Sequence, residues 1–303
     1  MVTYIPHQAG YFKHRLEVLQ LTLNSLRSHT NDPFDLLVFD NGSCDPVVEH
    51  LTALREAGAI DYLILSRENI GKIGALKILF QAAPGEVIAY CDDDILFYPD
   101  WLEHHLALLD RIPNAGMVSG APVRFAGTYA VSSLEKLIAS GPAGMVVSRE
   151  RFIPDEWEID WAQSTGRDPE EHLRAMKDWR EIVLRCGDLT AVGSANHFQF
   201  VARKEVILTA LPQEWTGQLM GAMVEMDEAI DGQGYLRLST AQRYTRHLGN
   251  VLSPVVVEEA KSLGIPIDGS GVSRQPRAHW LVRIPGSRRV LRAIYDRLFR
   301  VLH

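Results

Sequence analysis

Three consecutive aspartates, Asp92, Asp93 and Asp94, follow directly on the apolar run Glu86–Cys91. Adjacent carboxylates at the end of a buried strand repel one another, and they are costly to desolvate unless cations or hydrogen-bond donors offset them. A divalent ion such as Mg²⁺ or Mn²⁺ takes oxygen ligands and bridges to phosphates, which makes it a natural neutraliser. In extended chain Asp92 and Asp94 face one side and Asp93 the other. The competing reading is a solvated acidic turn ahead of a helix starting near Pro99; the triplet's place at the end of a buried strand, beside two other polar loops, favours the ion. Those loops are Asp40-Asn41-Gly42-Ser43 and Arg67–Lys72. Arg67 and Lys72 suit phosphate oxygens, or else a solvated loop. A second acidic group, Glu225, Asp227 and Glu228, opens a predicted helix. One of these carboxylates could accept a proton, while others would only complement the helix dipole. His247 stands in a turn with Arg246, Gly249 and Asn250, and imidazole is a good ligand for Mn²⁺.

The elements that must position these groups follow from periodicity and turn signals. Strands are predicted at Val2–Pro6, Asp35–Asp40, Tyr62–Leu65, Glu86–Cys91 and Gly116–Gly120. Helices are predicted at Leu16–Ser28, Pro46–Ala57, Ile73–Ala82 and Trp101–Asp110. The helical stripe Leu16, Leu19, Leu23 and Leu26 is one example. Such alternation implies βαβ units and a mostly parallel sheet flanked by helices, with ligands at the carboxyl ends of the strands. All three polar loops lie at those ends. Beyond Val123 the alternation fades. Ser148–Arg185 reads as polar and mostly helical from about Pro169, Val192–Val201 as a strand, Leu219–Asp231 as a helix and Tyr235–Ser239 as a strand. The expected organisation is a ligand-binding half over 1–122, a second half over 123–252 and an extension over 253–303.

The 303 residues suffice for one large α/β unit or two lobes sharing a core, and 46% hydrophobic with 23% charged residues is ordinary for a globular protein. No apolar run reaches the roughly 20 residues a membrane span needs. The opening Met1–Pro6 has neither a basic nor a long apolar region, so no secretory leader is expected. Three scattered cysteines, Cys44, Cys91 and Cys186, make neither a zinc spacing nor a disulfide framework, which suits a reducing cytoplasm. The net charge of −7 is unevenly spread: eight arginines and one acid give residues 274–303 a charge of +7, leaving −14 on the rest. No nucleic-acid partner is expected of so acidic a body. In residues 287–303, Leu291, Ile294, Leu298 and Val301 form one face with Arg288, Arg289, Arg292 and Arg300 around it. That pattern fits a basic helix lying on an anionic membrane surface, or one packed on the body.

The run Phe39-Asp40-Asn41-Gly42-Ser43-Cys44-Asp45 resembles the DNGSxD-type loop of glycosyltransferase family 2. Asn69-Ile70-Gly71-Lys72 is similar to that family's N-x-G segment, and Gly85–Asp94 to its strand ending in D-x-D. Arg246–Asn250 resembles the late histidine motif of enzymes with the GT-A fold, and Glu225–Glu228 the acidic motif ahead of a Gly-Tyr strand. The family's Pro-x-Tyr-Asn opening is replaced by Tyr4-Ile5-Pro6-His7-Gln8, and Cys44 stands where Thr is common. The resemblance is good over 34–120, weaker over 190–250 and absent after about 255. It implies a GT-A α/β fold and a transferase that moves a sugar from a UDP- or GDP-sugar to a hydroxyl acceptor, with Mn²⁺ or Mg²⁺ as cofactor. It implies donor contacts from Pro6, Asp40, Asn41, Ser43, Arg67, Asn69, Gly71, Lys72, Asp92 and Asp93, with Asp94, Asp92 and His247 on the metal. The acceptor's proton would go to Asp227, or to Glu228 or Glu225, with inversion at the sugar; a retaining enzyme can share the metal motif. With the basic tail, this suggests a cytoplasmic enzyme at the inner face of the membrane, with a lipid-linked acceptor. A sugar nucleotidyltransferase should carry a glycine-rich loop after the first strand, where residues 7–15 offer only Gly10. A non-catalytic nucleotide- or carbohydrate-binding module would need no such set of acids and His247.

Overall fold

The computed structural model describes residues 1–141, 143–212 and 223–267. The tail at 287–303, and the start of the helix expected from Leu219, therefore lie outside the described residues. Three parallel strands, β1 (Val2–Thr3), β2 (Leu37–Asp40) and β3 (Tyr62–Leu65), form one sheet with β2 central. Their crossovers are α1 (Arg15–Ser28) and α2 (Asp45–Glu56), and α3 (Gly71–Ala82) follows β3. β2 is buried along its whole length, as its unbroken Leu-Val-Phe run requires. β1 is shorter than its apolar pattern suggests. Ile5 N–H donates to Ser43 Oγ at 2.9 Å, and Pro6 has no N–H to give a ladder.

A larger sheet contains β4 (Val87–Cys91), β6 (Ala115–Ser119), β7 (Met145–Glu150), β8 (Glu181–Cys186), β9 (Leu189–Val192), β10 (Gln199–Arg203) and β11 (Leu236–Thr240). Their order is β4-β10-β6-β11-β9-β8-β7. β11 runs parallel to β6, and the other pairs are antiparallel. β10 thus inserts between β4 and β6, so strands from both sides of residue 122 share one sheet. A two-stranded ribbon pairs β5 (Ile95–Phe97) with β12 (Thr245–His247).

The remaining helices are α4 (Trp101–Arg111), α5 (Ser132–Ser140), α6 (Asp155–Ser164), α7 (Pro169–Ala175), α8 (Lys204–Ala210), α9 (Met223–Gly232) and α10 (Pro254–Ser262). α7 starts where Asp168 accepts from Glu170 N and Glu171 N at 3.0 and 3.1 Å, with Pro169 in the first turn. α1 is apolar on two faces. Leu19, Leu23 and Leu26 enter the core beneath β2, while Val18 and Leu21 pack against Val256, Val257 and Ala260 of α10. Each such buried aliphatic side chain contributes about 1.5–3 kcal/mol relative to exposure. This packing fixes the start of α1, and with it Arg15, against the end of β4.

Two expectations are corrected. The helix begun at Pro169 ends at Ala175, and the Glu181–Cys186 run is a strand held between β7 and β9. A short apolar run such as Ile182-Val183-Leu184 is ambiguous between helix and strand until its neighbours are known. Val192–Val201 is likewise not one strand. β9 ends at Val192, where Gly193 N–H turns to Ile182 O and Asn196 Nδ2 donates to Ala121 O. The chain enters β10 only at Gln199.

Candidate active site

The loop after β2 is built on Asp40, which is 1% exposed. Its Oδ2 accepts from Gly42 N at 3.3 Å and Ser43 N at 3.1 Å, a local turn that aspartate favours. Its Oδ1 is buried without a partner among the described residues, so it remains available to a donor group. Gly42 holds φ +87°, and an added Cβ would come within 2.9 Å of the Glu68 backbone. That close approach joins the loop to the one after β3. Asn41 Oδ1 accepts from Ile70 N at 2.9 Å, and Asn41 Nδ2 donates to Asn69 Oδ1 at 3.0 Å. Asn69 Oδ1 also accepts from Gly71 N at 2.8 Å. The structure therefore brings Asp40, Asn41, Ser43, Asn69, Gly71 and Lys72 together at one sheet edge. Pro6 lies beside Ser43 through the Ile5 contact, whereas Arg67 is exposed.

The acidic triplet joins β4 to β5, and its members have different partners. Asp92 accepts from Lys72 Nζ at 2.7 and 2.8 Å, and from the Tyr90 hydroxyl. Asp93 accepts from Thr3 Oγ1 at 2.5 Å and from the Arg15 guanidinium. Asp94 accepts from Arg15 Nη1 at 2.8 Å and has His247 Nε2 at 3.4 Å. One guanidinium thus bridges Asp93 and Asp94. The extended-chain expectation paired Asp92 with Asp94 instead. Burial alone would raise the Asp94 pKa, but His247 and Arg15 outweigh it and hold the carboxyl below its ordinary range. Burial raises the Asp93 pKa, an effect that Arg15 and Thr3 offset only in part. Asp94 Oδ1 is buried with no partner among the described residues. Arg15, Thr3 and Tyr90 were missed by sequence reasoning. Arg15 carries no motif and gains its role only because α1 begins against the triplet.

The acids of α9 also separate. Glu225 and Glu228 are exposed, whereas Asp227 is 0% exposed. Asp227 Oδ2 accepts from the Tyr129 hydroxyl at 2.7 Å and meets Arg237 Nη2 and His197 Nδ1, each at 3.1 Å. Burial, then Asp227, pushes the Tyr129 hydroxyl pKa up. Asp231 is spent elsewhere: its carboxylate accepts from Ser132 N at 2.9 Å and Ser133 N at 2.8 Å, closing the start of α5. The two acidic regions are neighbours. Asp92 N–H donates to Phe198 O at 2.8 Å, and the Phe198 ring packs on the His247 ring with centroids 5.2 Å apart. His197, Tyr129 and Arg237 had no sequence signal beyond their residue types.

Residues 11–192 match the glycosyl transferase family 2 domain. The chain belongs to glycosyl transferase family 2. Among similar curated proteins, an uncharacterized glycosyltransferase of Nostoc sp. is 28% identical over 30% of this chain and 33% of its own length. The amylovoran biosynthesis glycosyltransferase AmsB of Erwinia amylovora is 26% identical over 33% of this chain and 34% of its own length. The matched segment thus spans about a third of the length of each of these two relatives. Among solved structures, GalNAc-T7 with UDP, GalNAc and Mn²⁺ aligns over 81% of this chain and 43% of that chain, at 14% identity and a TM-score of 0.47. S. aureus TarS residues 1–349 aligns over 82% and 58%, at 13% identity and a TM-score of 0.43. Family membership together with the α/β topology gives the fold as GT-A.

Among the described residues no three His, Cys, Asp or Glu side chains form a ready metal cage. Mg²⁺ sites commonly use one or two protein carboxylates and complete their shell with water and substrate phosphate. The donor set here fits that economy. Asp94 Oδ1 is the unpaired oxygen, and His247 is oriented through Nδ1 by Ser164 Oγ at 2.8 Å, which leaves Nε2 toward Asp94. Asp92 is turned onto Lys72 and Tyr90. None of the described helices is long and apolar enough to cross a membrane.

Proposed function

We propose that the protein transfers a sugar from a UDP- or GDP-sugar to a hydroxyl acceptor, with inversion and with the help of Mn²⁺ or Mg²⁺. The observation that carries this reading is Asp94, a buried carboxylate that accepts from Arg15 Nη1 and keeps one oxygen unpaired among the described residues. Asp94 and His247 would hold the ion, which would neutralise the departing diphosphate when bound. Asp40, with its Oδ1 unpaired among the described residues, suits an N–H of the nucleotide base. Lys72 suits a phosphate oxygen, because its ammonium lies beside Asp92 at the same edge. The α9 side supplies the proton acceptor for the incoming hydroxyl from the Asp227 cluster.

The basic tail extends the reading. We propose that residues 287–303 attach the enzyme to an anionic cytoplasmic membrane face, where a lipid-linked acceptor is presented.

The test of the central claim is release of nucleoside diphosphate from a panel of UDP- and GDP-sugars with Mn²⁺. Release should stop in EDTA and resume on adding Mn²⁺ or Mg²⁺. Undiminished release in chelator removes the metal from the mechanism, and no release from any donor removes the transferase reading.

A further inference from the structure

We propose that His197 is the group that takes the proton from the acceptor, and that Asp227 holds its ring rather than meeting the acceptor. The proposal rests on the sugar-transfer reading.

Accessibility separates the two residues. Asp227 has no exposed side-chain surface, while His197 is 28% exposed. Asp227 Oδ2 is already occupied by Tyr129, Arg237 and His197, and its Oδ1, which has no partner among the described residues, is buried behind them. A hydroxyl would have to reach a sealed carboxylate and compete with a buried guanidinium that is itself only 1% exposed. The other α9 acids do not supply the same arrangement, since Glu225 and Glu228 face solvent and Asp231 closes α5. His197 also sits where the chemistry is. Its neighbour Phe198 accepts the Asp92 N–H at 2.8 Å and packs on His247. His197 is therefore next in the chain to the residue that pairs with Asp92 and packs on His247.

The charges fit this division of roles. Arg237 supplies one positive charge to Asp227, and the imidazole completes the set by donating its Nδ1–H. That contact fixes the tautomer and leaves the lone pair on Nε2. A base that is itself oriented by a third group is the general arrangement for activating a hydroxyl. In the transfer, the acceptor oxygen forms a bond to the anomeric carbon. The bond from that carbon to the phosphate oxygen breaks, and its electron pair leaves on the diphosphate. The hydroxyl proton passes to His197 Nε2, giving an imidazolium beside Asp227.

Water stands in for the unidentified acceptor in the test, with nucleoside diphosphate release from the same donor panel as the readout. His197→Ala should lower release by about a hundredfold or more while leaving diphosphate affinity unchanged. Added imidazole should restore at least about tenfold, because free base can occupy the vacated space. Asp227→Asn should also lower release, and adding His197→Ala to it should change little, since the two act as one unit. Nitrogen NMR of the His197 ring in the resting protein should show an Nδ1-protonated tautomer that becomes mixed in Asp227→Asn. Wild-type release in His197→Ala together with a dead Asp227→Asn overturns the proposal and makes Asp227 the base. A ring spectrum unchanged by Asp227→Asn overturns the pairing. A wild-type protein that releases nothing while its ring spectrum is as expected sinks the sugar-transfer reading itself, and the proton role goes with it.

Discussion

Replacing Arg15 by methionine removes the one guanidinium that bridges Asp93 and Asp94 while keeping most of the apolar stem. Arg15 is 8% exposed, and its two partners are 8% and 5% exposed for Asp94 and Asp93. Stripping one partner from a buried ion pair costs about 3–5 kcal/mol, because the remaining charge is left desolvated. Unfolding entropy of about 2.1 cal/mol/K per residue gives roughly 0.6 kcal/mol/K for a chain of this size. The melting temperature in chelator should therefore fall by about 5–8 °C at neutral pH. A divalent cation should reverse part of that loss. At about one hundred times its dissociation constant an ion stabilises the folded state by about 2.7 kcal/mol, or about 4 °C. Arg15→Met should gain more from Mn²⁺ than the wild type does, because the vacated negative charge strengthens its site. Scanning calorimetry in EDTA and in Mn²⁺, with circular dichroism to confirm the fold, measures both shifts. A variant within about 1 kcal/mol of wild type in chelator would refute the charge argument, and equal Mn²⁺ gains in the two proteins would refute the site.

His105 predicts an acid-sensitive fold. Burial lowers its pKa from 6.5 to about 4, with Trp101 O 2.5 Å from Nδ1 and the Gln199 side chain at Nε2. Because the folded pKa is depressed, the unfolded chain binds the extra proton first. Stability is full above about pH 6.5 and falls by up to about 3 kcal/mol as pH drops toward 4. Urea midpoints against pH should show a shallower slope for His105→Gln, and identical slopes would refute the assignment. For the tail, deleting residues 287–303 should abolish sedimentation with anionic vesicles at low salt and spare diphosphate release. Intact protein that ignores such vesicles removes the membrane proposal.

The sequence alone determined which polar loops form the candidate ligand edge. Apolar runs ending in Asp40-Asn41-Gly42-Ser43 and Asp92–Asp94, with helices between them, can bury their hydrophobic faces in few ways. Alternating strands and helices carry such polar ends on one side, although β2 and β4 here belong to separate sheets. Gly42 was legible for the same reason, since a turn at that point demands a positive φ. Tertiary structure alone decided who meets whom at that edge. Periodicity says which face a residue occupies but not which distant element covers it. So nothing local announced that Arg15 would bridge Asp93 and Asp94, or that Asp92 would turn to Lys72 and Tyr90. The acids of α9 show the same limit. Glu225, Asp227 and Glu228 are nearly equivalent in sequence, yet packing against Tyr129, Arg237 and His197 buries only Asp227. The contacts with His197 and Tyr129 join residues 30 and 98 positions apart along the chain, and they exist only once the strands have fixed their order.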